Sequence, residues 1–115
     1  MFPCYTPEPP YYAVIFPSTR SGQDPEYQVM AAKMESLAAL QPGFLGIESV
    51  RNESGDGLTV SYWETEDAIH SWQKHPEHKK AQAAGIALWY DDYSIRIAKV
   101  ERAYKKRGSI AESAS

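Results

Sequence analysis

The residues of this chain best suited to chemistry are three closely spaced histidines, His70, His75 and His78. An imidazole titrates near neutral pH, so histidine is the natural carrier of a proton at physiological pH. His75 and His78, three apart on one helical face, are the candidates for that role, His78 first. Each also has a structural reading. His75 immediately precedes Pro76, the position of a helix N-cap, and His78, one turn on, fits a solvated surface. The three together suggest a metal site, but Pro76 breaks the helix between His70 and the others, and no cysteine stands nearby. That is a poor ligand set for zinc, and no metal is expected. Trp72 recurs at helical spacing with Ala68 and Ile69, which fits a core residue that can also wall a pocket. Trp63 ends a strand and reads as structural. Arg96 lies in an alternating apolar strand, where it either snorkels at the sheet edge or neutralises an anion or Glu48. Lys74, Lys79 and Lys80 read as a solvated helix face. Cys4 is the only cysteine, so no internal disulfide forms, and with no base or cation close in sequence its thiol reads as inert.

These residues need elements to position them. Residues 1–10 hold four prolines and read as an extended arm. Tyr11 to Phe16 is a continuous apolar run that stops at Pro17, a buried strand. Asp24-Pro25-Glu26 starts a helix, with Asp24 as N-cap and Pro25 at the first helical position. Tyr27, Met30, Met34 and Leu37 then mark its apolar face, and Pro42-Gly43 ends it. Two strand-like runs follow, Phe44 to Arg51 and Gly57 to Glu64, joined by a loop over 52–57. Thr65 caps a second helix running to about Lys74. Pro76 opens a further piece reaching about Leu88, with Ala81, Ala84 and Leu88 as a small-residue face that permits close packing on a sheet. Tyr93 to Val100 alternates as the last strand, and 105–115 reads as a frayed tail. The order is β-α-β-β-α-β, an α+β, ferredoxin-like plan with an antiparallel sheet in a single domain over 11–104.

Two helices cover one face of such a sheet. The first strand is apolar on both sides: Tyr11, Ala13 and Ile15 point one way, Tyr12, Val14 and Phe16 the other. Nothing in the chain is expected to cover the second face, and an open apolar face of that size is rare on a monomer. A homodimer packed sheet against sheet is the simplest solution. Net charge is −3 and the pI about 5.6, which argues against nucleic acid or an anionic membrane as the main partner. No apolar run approaches the roughly 20 residues of a membrane span, and no secretory signal opens the chain, so a cytoplasmic protein is expected. Eight tyrosines and three tryptophans in so short a chain require a large core, an interface or a pocket.

Pro42-Gly43-Phe44-Leu45-Gly46-Ile47-Glu48, Tyr62-Trp63-Glu64-Thr65-Glu66-Asp67-Ala68, Trp72, the His75-Pro76-Glu77-His78 turn and Trp89-Tyr90-Asp91-Asp92-Tyr93 together resemble the antibiotic biosynthesis monooxygenase family. The resemblance spans about Tyr11 to Tyr104. It implies a dimeric α/β barrel with a small-ligand pocket between helices and sheet. Characterised members of the family oxidise phenolic or quinol-like substrates with O2 and no added cofactor, or degrade haem. The implied function is a cofactor-independent monooxygenase acting on a small aromatic substrate. Trp72, Tyr62, Trp89 and Tyr93 would supply aromatic walls and donors, with Arg96 as a substrate contact and His78 or His75 as the base. The alternative is a non-catalytic dimeric module that binds small ligands or serves a stress response. A haem-binding or haem-degrading role is the minor alternative. Haem-degrading members carry a Trp that Trp72 matches, but Gln82 stands at the position of their axial histidine, and Tyr11 to Phe16 contains no Asn.

Overall fold

A computed structural model describes residues 3–22 and 24–106. The chain runs β1 (Tyr11–Thr19), α1 (Pro25–Ala38), β2 (Phe44–Arg51), β3 (Asp56–Trp63), α2 (Glu66–Gln73), α3 (Pro76–Ala84), a π-helical turn (Gly85–Trp89), β4 (Asp92–Tyr93) and β5 (Arg96–Val100). The sheet is antiparallel throughout, in the order β2-β3-β1, with β4 and β5 both lying on the outer side of β1. This is the expected ferredoxin-like α+β plan, its last edge strand broken into two pieces.

The helix boundaries follow from local chemistry. Asp24 accepts the Glu26 N–H and Pro25 opens α1. α1 closes at Ala38, before the Pro42-Gly43 stop, and Gly43, at φ 84°, then turns the chain into β2. Thr65 accepts the Ala68 N–H at the start of α2. His75 accepts the Glu77 N–H through Nδ1 at the start of α3, so its capping role is realised.

Three further boundaries differ from expectation. Strand β1 runs through Pro17 to Thr19. Pro17 faces the break between β4, which reaches Ser18, and β5, which begins opposite Ile15, so no ladder hydrogen bond is lost to its missing N–H on that side. The last strand is split because Ser94 turns in to donate to the Pro17 carbonyl. The helix expected to reach Leu88 instead widens after Ala84 into the π turn, closed by the Tyr90 N–H on the Gly85 carbonyl at 3.0 Å. A side chain at Gly85 would meet the Tyr90 ring at 2.8 Å, so glycine admits the ring that the widened turn delivers.

The core lies between the sheet and the helices. Trp63, at 1% exposure, is its centre, with Ala38, Ile69 and Trp72 buried around it and Tyr12, Val14, Met34, Leu37, Phe44 and Ala68 packed against them. The second face of the sheet is not bare, which corrects one expectation. The N-terminal arm lies on it: the Cys4 N–H donates to Glu48 Oε2 at 2.8 Å, Thr6 donates to the Tyr11 hydroxyl at 2.6 Å, and Cys4 packs against Gly46. Val50 and Leu58 on that face stay exposed. Most of the expected 105–115 tail falls outside the described residues.

Candidate active site

The helix-covered face carries two aromatic clusters, at opposite ends of β1. The first is built on α2 and α3. Trp72 sits on the inward face of α2, 8% exposed, its ring stacked near Trp63 with centroids 6.4 Å apart. The break at Pro76 folds α3 back so that His78 lies over Trp72, centroids 4.5 Å apart and planes 12° from parallel. His75 lies 5.3 Å from the same indole. His78 Nδ1 stands 3.1 Å from the Trp72 carbonyl oxygen. A carbonyl can only accept, so this bond places the proton on Nδ1 and leaves the lone pair of a neutral ring on Nε2. Burial is the main influence on His78 and holds its pKa below 6.5; the nearby His75 acts in the same direction, and the bond to Trp72 opposes them. His78 is therefore neutral at pH 7 and able to take a proton.

The second cluster surrounds Tyr27 near the start of α1. Its ring meets Trp89 edge-on at 5.5 Å and Tyr90 at 5.8 Å, and the Tyr90 hydroxyl donates to the Tyr27 oxygen at 3.3 Å. Phe16 extends the cluster to Tyr90 and Tyr93, with centroids at 5.3 and 5.6 Å. The Trp89 indole N–H donates to Asp24 Oδ2 at 3.0 Å. That bond, with the Glu26 N–H on the other oxygen, holds the Asp24 carboxyl below its ordinary pKa. Burial, then the bond to Tyr27, raises the Tyr90 phenol well above its ordinary value, so it stays protonated. Two arginines complete the cluster. Arg20 places its guanidinium carbon 3.7 Å from the Tyr27 ring centroid, and that of Arg51 lies 5.9 Å from Tyr27 and 6.0 Å from Tyr90.

Of the residues singled out from the sequence, the structure brings His75, His78 and Trp72 together in the first cluster, and Trp89 and Tyr93 in the second. Tyr62 and Arg96 stand on the other face of the sheet. Tyr62 is adjacent to the core-facing Trp63 and therefore points the opposite way; it packs edge-on to Tyr11 and donates to Glu48 Oε1 at 2.7 Å. Arg96 pairs with Ile15, on the side of Tyr11 and Ala13, and is exposed. Gln82 donates to the Gln73 carbonyl. Among the described residues no three His, Cys, Asp or Glu side chains gather as a metal would require. An open cleft of about 570 Å³, lined by Pro3, Cys4, Tyr5, Tyr104, Lys105 and Lys106, lies between the arm and the C-terminal extension, separate from both clusters.

Sequence reasoning missed Arg20, Arg51, Ser18, Tyr27 and Tyr90 as site residues. One signal was present. Gly57 pairs with Arg51 across the hairpin and with Ser18 across the next ladder, and a glycine opposite an arginine leaves room for the guanidinium to lie across the sheet.

The antibiotic biosynthesis monooxygenase family model matches residues 10–84. The chain is 57% identical over 97 residues to the uncharacterized protein YqjZ of Bacillus subtilis, covering 84% of this chain and 85% of that one. Among solved structures it resembles SnoaB, a cofactor-independent oxygenase from Streptomyces nogalater, with TM-score 0.71 and 16% identity over 83% of this chain and 97% of that one. It also resembles a dimeric ferredoxin-like protein of unknown function from Thermobifida fusca, with TM-score 0.62 and 17% identity over 84% and 98% of the two chains. At these identities the two structures speak for the fold. No helix among the described residues is long and apolar enough to cross a membrane.

Proposed function

The chain belongs to the antibiotic biosynthesis monooxygenase family, and from that premise we propose that it is a cofactor-independent monooxygenase that oxidises a small phenol- or quinol-like substrate with O2 on the helix-covered face of the sheet. The observation that carries this reading is His78: neutral at pH 7, with Nε2 left free by the bond of Nδ1 to Trp72. In the proposed reaction His78 takes the phenolic proton, and the electron-rich phenolate passes one electron to O2. The resulting superoxide joins the ring carbon para to the oxygen. The proton held by His78 returns to the distal peroxide oxygen, that oxygen leaves as water with the ring C–H proton, and a quinone remains. Phenol plus O2 thus gives quinone plus water, with all electrons drawn from the substrate. Trp72 walls the site beneath His78 and keeps it poor in water, which favours the electron transfer; Trp89 and Tyr93 belong to the cluster at the other end of β1 and would not touch the same substrate. His75, already used as a helix cap, is the second candidate base. The side chains of Tyr62 and Arg96 bear on the opposite face and would reach a substrate only indirectly.

The likeness to a dimeric ferredoxin-like protein supports a homodimer packed through the face bearing Val50 and Leu58, and a lone thiol suits the cytoplasm. The test is O2 uptake with a panel of quinols and flavonoid-like phenols, followed by mass analysis of product made under ¹⁸O2. One labelled oxygen per product and one O2 per substrate are expected; no uptake with any member of the panel overturns the oxygenase reading. One observation favours the alternative of a non-catalytic binding module: Trp72 is packed into the core against Trp63 and Ile69. Ligand-induced rises in melting temperature without O2 uptake would establish that alternative. Haem binding is disfavoured by Gln82, whose amide is tied to the Gln73 carbonyl.

A further inference from the structure

From the cluster around Tyr27 we infer an anion subsite, formed by Arg20 and Arg51, that selects an aromatic carboxylate as ligand. The inference rests on the reading of this face as one that takes aromatic ligands, and it names a subsite at the other end of β1 from His78, apart from the proposed base.

Two guanidiniums lie within 6.0 Å of Tyr27 or Tyr90 ring centroids, in a chain whose net charge is −3. Among the described residues neither forms an ion pair with a carboxylate; the pairs there are Lys33–Glu77 and Lys80–Glu77. Asp24 is near enough to Arg20 to feel its charge, but its two oxygens are already bonded to the Glu26 N–H and the Trp89 indole. The Tyr90 hydroxyl stays protonated and supplies no counter-charge. Arg51 spends its bonds on neutral oxygens: Nη1 donates to the carbonyls of Gly55, at 2.6 Å, and Ser18, at 3.3 Å, while Nη2 donates to Ser18 Oγ at 2.6 Å. This fixes the guanidinium in place and leaves its charge uncompensated. Arg20 lies over the Tyr27 ring with its Nε covered and without a hydrogen-bond partner among the described residues, so the outer end of its guanidinium is what a ligand can reach. A carboxylate beside these arginines supplies a counter-charge that neither holds as an ion pair, and accepts charge-assisted hydrogen bonds from the guanidinium N–H groups not already spent. Tyr27, Tyr90 and Phe16 offer ring faces and edges to the aromatic body of such a ligand.

The test is calorimetric titration of the full chain at low salt with 4-hydroxybenzoate, and with phenol as the uncharged control. We expect saturable binding of one 4-hydroxybenzoate per chain, about tenfold or more tighter than phenol, as loss of a charge-assisted contact implies. Arg20→Gln should weaken 4-hydroxybenzoate by about tenfold or more while leaving phenol unaffected. Arg51→Lys, which keeps the charge and loses the fork, is the second variant if Arg20→Gln does not fold, and should weaken it in the same sense. Equal affinity for phenol and 4-hydroxybenzoate, unchanged binding in a folded variant, or no saturable binding at millimolar ligand overturns the subsite. Carboxylate binding without O2 uptake keeps the subsite and removes the oxygenase reading. O2 uptake with the phenol panel, together with 4-hydroxybenzoate affinity unchanged in folded Arg20→Gln, does the reverse.

Discussion

Arg51, at the end of β2, reaches across β3 to bond Ser18 of β1, Nη2 to Oγ at 2.6 Å, and it passes over Gly57 to do so. Any side chain at residue 57 would collide with the guanidinium. One glycine thus lets one arginine tie three strands together at the end of the sheet where the Tyr27 cluster sits.

Gly57→Ala should therefore displace Arg51 and leave Ser18, 5% exposed, without its partner. The lost bond and the stranded hydroxyl cost about 1–3 kcal/mol, partly offset by the roughly 0.5–1 kcal/mol that Ala gains over Gly within a strand. Urea denaturation of Gly57→Ala, Ser18→Ala and the double variant checks this. The double variant should lose less than the two single losses added together, because both act on one bond. Additive losses would mean that Gly57 and Ser18 act independently.

Trp72→Ala removes a buried indole that touches Trp63, His75 and His78. Large-to-small changes of this kind cost about 3–5 kcal/mol, and in a domain of this size the melting temperature should fall by more than about 10 °C. His78→Ala, a half-buried residue at the edge of that packing, should cost far less. Thermal melts of the two variants side by side check the ranking; equal losses would place His78 in the core and weaken its reading as a base.

The sequence made the fold legible because its punctuation is strong. Asp24-Pro25, Thr65 and His75-Pro76 each dictate a local backbone and hydrogen bonds, independent of distant residues, and each acts where expected, whereas α1 ends at Ala38, ahead of Pro42-Gly43. What the sequence hid depends on distant contacts. The π turn exists because the Tyr90 ring needs the space over Gly85, and helical periodicity alone gives no sign of it. The arm covers Glu48 through a bond between residues 44 positions apart. For the site, nearness in sequence pointed to Trp72, His75 and His78, but it is the break at Pro76 between α2 and α3 that brings His78 over Trp72. The Tyr27 cluster was not legible, since Arg20, Tyr27, Arg51 and Tyr90 come from four separate segments and meet only once the sheet has paired. Tyr62 and Arg96 were assigned to the pocket by residue type, but strand alternation, fixed by the register against Ala13 and Ile15, turns both to the other face.

The face beyond the arm predicts a dimer. Val50 and Leu58, 52% and 41% exposed, project from it beside the half-buried Val60 and Ile15, an apolar patch suited to a second copy. Sedimentation equilibrium at micromolar concentration should give about twice the chain mass of 12.9 kDa. Val50→Lys with Leu58→Lys should give the mass of one chain, because burying two unpaired charges at the centre of the contact is prohibitive. A monomer for the unmodified chain would remove the dimeric barrel.

The last prediction is the pH dependence set by His78. Its folded pKa lies below the ordinary 6.5 because burial beside Trp72 disfavours the imidazolium. The unfolded chain therefore binds this proton at higher pH than the folded chain does. Wherever the unfolded state holds more protons, stability rises with pH. The contribution of His78 is thus fully present above pH 6.5 and is lost as pH falls through the ordinary value to the depressed folded one. His75 is the titratable neighbour that acts on the ring, and it remains in a His78→Gln variant, which removes only the titration of residue 78. Melting temperatures measured between about pH 8 and pH 5, a range spanning the ordinary histidine pKa, should fall more steeply for the unmodified chain than for His78→Gln. Once a substrate is found, the same shift should carry the acid limb of the rate profile below pH 6.5, since His78 must be neutral to take the phenolic proton. Parallel stability curves would show that the ring is solvated and its pKa ordinary. A steeper stability curve with no acid limb in the rate below neutrality would leave His78 buried as described but move the base elsewhere, with His75 the next residue to test.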